Sequence, residues 1–370
     1  MYKSLLRCIS LILTCLLLST FSIHGFSKIT DEADIKKNTQ TEKSKSSKPY
    51  KEPKFGNTKS TSADDKAKKN IKSPKNPREV RTTVMPRSRT IEPVSPRVSM
   101  GTALGLSRRA DQLNLKSNAS IVVDDQNQSV IFDKNSQIVL PIASITKLLT
   151  AMTVLDAKLP LDEALEINDE DVGIYHHSRL TKGTILSRRE ALLLALMSSE
   201  NRAAYTLGRN YPGGITAFMA ALNRKAKEIG MKNSSFADPT GLTSKNVATA
   251  EDLAVMIQAA YQYPLIRQFS TTPSHVKEIN RREQTFLNSN RLVRSGDMEI
   301  LIQKTGYISE AGRCLVMMAN VNNKSYTMVF LDSVGSQSRF ADAVRVRDWL
   351  ENAQDYPSLR ELKSVNPVLN

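Results

Sequence analysis

The stretch "PIASITKLLTAM", residues 141–152, sets Ser144 three positions before Lys147 at the head of an apolar, helix-favouring run. Three residues are just under one helical turn, so the hydroxyl and the amine project from one face of an amphipathic helix, within reach of each other. A serine hydroxyl is a weak nucleophile until a neighbouring base takes its proton. Lysine serves as that base only when its ammonium is destabilised, which burial and a second nearby cation would do. Alone, the pair reads better as a helix-start serine and a surface lysine, since this spacing arises by chance about once in a chain of this size. Its meaning depends on what the rest of the chain brings to it.

Two later stretches bear on it. In "LMSSENRAAYTLG", residues 196–208, Ser199-Glu200-Asn201 follows an apolar helix. A second hydroxyl there can relay a proton to a leaving amine, and the Asn201 amide can hydrogen-bond a substrate backbone. The alternative is a capping and turn cluster, since Ser and Asn favour helix ends. In "LIQKTGYISEAGRCLVMMA", residues 301–319, Lys304-Thr305-Gly306 closes a strand. Lysine and threonine offer a cation and a hydroxyl to a carboxylate, and Gly306 lets a substrate backbone approach the sheet edge. The alternative is a strand ending in a turn. Ser-x-x-Lys, then Ser-x-Asn, then Lys-Thr-Gly, in that order on helix, helix end and strand, is a far more specific pattern than any one of its parts.

The segments around these motifs set the architecture. Residues 119–123 and 130–133 are short apolar runs about a polar turn at 124–128, which predicts a hairpin opening the folded part near Leu104. Helical patterns follow over 144–157, 187–198, 215–229 (stopped by Gly230) and 250–262 (with Thr249 as N-cap). Strand patterns return at 299–303, 314–321 and 326–332, and a helix closes the pattern at 339–352. Strands at both ends with helices between predict an α/β mixed fold. One antiparallel sheet is assembled from both ends of the domain, a helical subdomain is inserted between them, and the site lies where the halves meet.

At this point the sequence resembles the low-molecular-mass penicillin-binding proteins, serine D-Ala-D-Ala peptidases, and most closely their D-alanyl-D-alanine endopeptidase branch. The likeness runs from about Ser117 to Asn352. Besides the three motifs it includes "SRLTKGT" at 178–184, "MSSENRAA" at 197–204, "DPTGL" at 238–242 and "KTGYISEAGRCLVM" at 304–317. The resemblance implies a β-lactamase/transpeptidase-like fold and an acyl-enzyme mechanism without metal or organic cofactor. By the same resemblance Ser144 is the acylated nucleophile, Lys147 its general base and Ser199 the proton shuttle. Asn201 holds the substrate amide, Lys304 and Thr305 bind the carboxylate region beside Gly306, and the backbone N–H groups of Ser144 and Tyr307 form the oxyanion hole. Lys304 is also the second cation that Lys147 needs. The implied ligands are peptidoglycan stem peptides and cross-links, with β-lactam antibiotics as acylating inhibitors.

Upstream, residues 1–26 carry Lys3 and Arg7 before an apolar run and then small and polar residues, the layout of a secretory signal, with an uncleaved anchor as the rival reading. Residues 27–100 are rich in Lys, Ser, Thr, Asn and Pro and nearly free of large apolar side chains, so they are read as a disordered linker. The peptidase domain is expected over 101–355 and a tail over 356–370. The linker holds roughly two thirds of the chain's net charge of +15. Export and the lack of stacking aromatics argue against nucleic acid. An electrostatic contact with an anionic wall or membrane surface competes with the plainer role of a solvated spacer. Loss of the leader removes Cys8 and Cys15, leaving Cys314 without an internal disulfide partner. These features place the protein in the periplasm.

Other hydrolytic chemistries fit poorly. His176, His177 and His275 form no zinc-binding pattern, the His176-His177 pair reads as surface loop, and no Gly-x-Ser-x-Gly elbow is present. A class A β-lactamase would need a deacylating Glu, and no stretch around Glu190, Glu200 or Glu251 resembles that family's Glu-bearing loop. A D-alanyl-D-alanine carboxypeptidase is the nearer rival. Members of those families commonly carry a further β-rich domain, for which the sixty-odd residues after Lys-Thr-Gly are too few, so endopeptidase is the expectation. A non-catalytic wall-binding scaffold would be marked by loss of Ser144, Lys147 or Ser199, and all three are present.

Overall fold

The computed structural model describes residues 98–174 and 178–352, all within one compact unit. The proposed leader, most of the linker, the tail over 356–370 and the His176-His177 pair lie outside the described residues.

Strands β1 (Ser117–Asp124) and β2 (Ser129–Lys134) form the opening hairpin, with Val122 facing Phe132. Seven α-helices of seven residues or more are described: α1 (Lys147–Asp156), α2 (Arg188–Met197), α3 (Asn201–Arg209), α4 (Gly214–Glu228), α5 (Ala250–Tyr261), α6 (Pro264–Ser270) and α7 (Ser338–Asn352). Between α6 and α7 come a two-stranded ribbon, β3 (Ser274–Ile279) with β4 (Arg282–Leu287), and three long strands, β5 (Glu299–Ile308), β6 (Gly312–Val321) and β7 (Lys324–Ser333). The main sheet has the order β2-β1-β7-β6-β5 with every neighbour antiparallel. The strands from the two ends of the described domain thus meet at the β1–β7 seam, where Ile121 pairs with Val329, as the pattern of strands around helices predicts.

Each central strand is covered on both faces, which is why the sequence shows continuous apolar runs there instead of alternation. On β6, Cys314, Val316 and Met318 join the core shared with the helical half, and Leu315, Met317 and Ala319 join the core under α7. Local signals explain most helix boundaries. Ser187 and Glu190 make a reciprocal capping box at the start of α2, and Thr249 accepts from Asp252 N at 3.0 Å to cap α5. Gly230, at φ +94°, follows the end of α4 as expected.

Three expectations change in detail. The 144–157 helix is divided: Ala143–Thr146 is a 3-10 turn, and α1 begins at Lys147. Nor is α1 amphipathic. Every residue from Lys147 to Val154 is buried, because α2, α3, α4 and α5 surround it. Finally, Lys304-Thr305-Gly306 lies inside β5, which runs on to Ile308.

Candidate active site

Ser144 sits in the tight turn before α1, and three neighbours define its backbone. Ile142 N donates to Asn246 O at 3.1 Å, and Thr146 Oγ1 donates to Ala143 O at 2.9 Å. Ala143 itself is left-handed, at φ 50°. That conformation costs roughly 1–2 kcal/mol for a residue with a Cβ, so the turn is held by its surroundings. Gly241 (φ +82°) and Gly306 close on it from two sides. A Cβ on Gly241 would stand 1.9 Å from Ala143 O, and one on Gly306 2.8 Å from Ile142 O and 3.2 Å from Ser144 N. Only glycine lets both backbones approach this closely.

Lys147 is fully buried, and its Nζ donates to Ser144 Oγ (2.8 Å), Asn201 Oδ1 (2.8 Å) and Thr240 O (2.7 Å). Two of these partners are carbonyl oxygens, which can only accept. When the ammonium loses one proton, its two remaining N–H bonds stay with Asn201 and Thr240, and the lone pair is left for the Ser144 hydroxyl. Burial brings the Lys147 pKa down to about 7, against the opposing pull of Asp238 and Glu200. The geometry therefore assembles a hydroxyl beside a base poised near neutrality.

Across the cleft, Lys304 is also fully buried and donates to Ser199 Oγ at 2.8 Å and Thr305 O at 2.9 Å. Its pKa is pushed well below the usual lysine value by burial, then by Lys147 and Arg339. Lys304 was expected to help destabilise the Lys147 ammonium. Burial is the larger cause at both amines, and the two cations repel each other across the cleft, which disfavours charging either one. Ser199 is strained at φ 64° in the link between α2 and α3. Glu200, the α3 N-cap, accepts from Ser178 Oγ at 2.6 Å and lies 3.6 Å from the Arg179 guanidinium. The motif thus caps a helix and supplies polar groups at once.

On β5, Thr305 Oγ1 shares a 2.7 Å hydrogen bond with Ser289 Oγ, and Tyr307 is half-exposed on the outermost strand of the sheet. All eight residues singled out in the sequence, Ser144, Lys147, Ser199, Asn201, Lys304, Thr305, Gly306 and Tyr307, belong to this one junction of helices and sheet. The sequence reading gave no role to Asp238, Thr240 and Gly241, which supply the third Lys147 contact and the wall behind Ala143. It also passed over Ser289 and Arg339, whose Nη1 donates to Gly306 O at 3.1 Å. Only the "DPTGL" likeness pointed at the first three. Among the described residues no group of three or more His, Cys, Asp or Glu side chains could hold a metal ion, and no helix is long and apolar enough to cross a membrane.

Known proteins similar to the chain point to one family. The chain is 47% identical over 249 residues to a D-alanyl-D-alanine endopeptidase of Pseudomonas aeruginosa, covering 66% of this chain and 80% of that protein. It is 44% identical over 271 residues to a D-alanyl-D-alanine endopeptidase of Escherichia coli, covering 72% and 86%. Among solved structures, an ampicillin-bound penicillin-binding protein of Listeria monocytogenes superposes with a TM-score of 0.56 at 27% identity, over 65% of this chain and 98% of that one. A D-alanyl-D-alanine carboxypeptidase of Mycobacterium tuberculosis shares the fold, with a TM-score of 0.60 at 24% identity, over 65% and 93%. The sequence profile of the D-alanyl-D-alanine carboxypeptidase family matches residues 107–335, and the chain belongs to that family of serine D-Ala-D-Ala peptidases.

Proposed function

We propose that the protein is a penicillin-sensitive serine D,D-endopeptidase that hydrolyses D-alanyl cross-links of peptidoglycan in the periplasm. The observation that carries this reading is the Lys147 amine, held by two acceptor-only oxygens so that its remaining valence points at Ser144 Oγ. Ser144 Oγ attacks the D-alanine carbonyl carbon while Lys147 Nζ takes its proton. Negative charge develops on the carbonyl oxygen against the N–H groups of Ser144 and Tyr307. The C–N bond then breaks, and the proton taken up by Lys147 is relayed through the Ser199 hydroxyl to the departing amine, which leaves Lys147 neutral and Ser199 unchanged. Water hydrolyses the resulting ester by the reverse proton path, returning Ser144. Asn201 Nδ2 meets the substrate amide, because Oδ1 is engaged by Lys147. Lys304 and Thr305 hold the carboxylate beside the scissile bond, and Gly306 leaves room for a peptide along β5. A metal plays no part in these steps.

The relatives at 47% and 44% identity are named endopeptidases, whereas a Bacillus subtilis carboxypeptidase is 27% identical, and this supports cross-link cleavage over trimming of terminal D-alanine. The leader is taken to deliver the enzyme and the basic linker to rest on anionic wall or membrane surface. The test uses mature protein beside Ser144→Ala, with a cross-linked muropeptide dimer and an uncross-linked pentapeptide, products being resolved by mass spectrometry. Ser144-dependent conversion of dimer to monomers is expected. Loss of one alanine from the pentapeptide with the dimer untouched would make it a carboxypeptidase.

A further inference from the structure

Asp238 is bound more heavily than its turn requires. Its Oδ1 accepts from Thr240 N (2.5 Å), Thr240 Oγ1 (2.6 Å) and Gly241 N (2.7 Å), and its Oδ2 from Thr243 N at 3.0 Å. The wrapped turn aims Thr240 O at Lys147 Nζ, anchors α1 through Thr150 Oγ1 to Pro239 O at 2.7 Å, and lays Gly241 against the Ala143 peptide. A neutral asparagine would keep the Oδ1 acceptor for three of the four donors. What it would lack is the negative charge.

Charged groups face Lys147 from three elements: Asp238 from the 238–242 turn, Glu200 from the α3 N-cap, and Lys304 from β5 with Arg339 behind it. Glu200 shares its charge with Arg179 and Ser178. Asp238 has no cationic partner among the described residues, so its field acts on the buried amine without local compensation. We propose that Asp238 is a positioning residue whose charge also sets the pH at which Lys147 releases the proton that must leave before Ser144 can be activated. This rests on the reading of Lys147 as the base. Asp238 opposes the burial of Lys147 more strongly than Glu200 does.

The experiment is the rate of benzylpenicillin acylation, followed by the mass of the adduct, against pH for wild type, Asp238→Asn, Asp238→Glu and Thr240→Val, each checked by thermal unfolding. The wild-type acid limb is expected near pH 7. In Asp238→Asn it should move down by about one unit, so that, with the fall in plateau counted, the variant acylates about threefold to eightfold faster at pH 5.5. Its alkaline plateau should fall by no more than about threefold, since a less basic amine is a weaker acceptor. Asp238→Glu restores the charge and should bring the limb back toward wild type. Thr240→Val loosens the same turn but leaves the charge, and should slow acylation without moving the limb.

A uniform loss in Asp238→Asn with the limb unmoved would reduce Asp238 to a brace, and so would an equal limb shift in Thr240→Val. If Asp238→Asn fails to fold, Asp238→Ser, which removes the charge but keeps a hydroxyl acceptor, takes its place: a limb moved down upholds the assignment and an unmoved limb overturns it. Absence of any adduct in the wild-type protein would instead sink the reading of the Ser144–Lys147 pair itself.

Discussion

Helix α1 and strand β5 each bring one fully buried lysine to the cleft, and the two are built differently. Lys147 stands at the first turn of a helix enclosed on every side, with three acceptors on its amine and two carboxylates, Asp238 and Glu200, in its field. Lys304 comes from the outermost strand, with two acceptors and two cations, Lys147 and Arg339, in its field. Burial lowers both pKa values, but carboxylates limit the fall at Lys147 and neighbouring cations deepen it at Lys304. The same residue type is thereby given two jobs. A base must surrender and regain a proton near neutral pH. A substrate-holding amine need only complete its bonding when an anion arrives, and an arriving carboxylate raises its pKa at that moment.

The strongest way to break this comparison is to remove each amine in turn. Lys147→Met should reduce penicillin acylation by about a thousandfold or more, in the upper range for loss of a general base. Lys304→Met should cost about a hundredfold in kcat/KM on the cross-linked dimer, as loss of one preorganised charge does. Equal losses of kcat with unchanged KM in both would mean that the lysines act as one unit. Next in size is Gly241→Ala. A Cβ at φ +82° and 1.9 Å from Ala143 O must displace the Ser144 turn. Destabilisation of about 3 kcal/mol is expected, read as a fall in Tm of about 6 to 12 °C.

The last effect, spread over a range of pH, concerns stability. Between about pH 7 and the ordinary lysine value of 10.5 the unfolded chain binds a proton at Lys147 that the folded protein has released. Stability contributed by this site therefore rises with pH through that window and is flat below it; Lys304 acts in the same direction. Thermal unfolding between pH 7 and 9.5 should show the rise, and Lys147→Met should lessen it, leaving the part that Lys304 contributes. A slope unchanged by that substitution would sink the assignment of the buried charge to Lys147.

How legible these features were depends on where their signals lie. The central strands β1, β7 and β6 carry apolar residues on both faces, so their runs stand out, and the capped helices α2 and α5 announce their starts. The β3–β4 ribbon went unread, because Ile279 and Phe286 are its buried residues and its other positions are polar or exposed. Helix α3 hid behind the Ser199-Glu200-Asn201 motif that opens it, and its buried stripe of Ala203, Ala204, Leu207 and Gly208 is short and made mostly of small residues. In the site, side-chain chemistry was legible and backbone chemistry was not. Thr240 reaches Lys147 through a carbonyl oxygen that any residue type could supply, and Asp238 binds donors within five positions of itself, as many unremarkable turns do.

Ala143 also bears on how this enzyme would change under selection. Its left-handed backbone, wedged between Gly241 and Gly306, is a fixed cost at the residue before the nucleophile. A screen that rewards only thermal endurance should favour glycine there, since relief of that strain outweighs the added freedom of the unfolded chain. A screen that rewards turnover should keep alanine, whose missing freedom holds the serine still. Laboratory lineages started from this one sequence should therefore part company at position 143 according to what they are asked to survive.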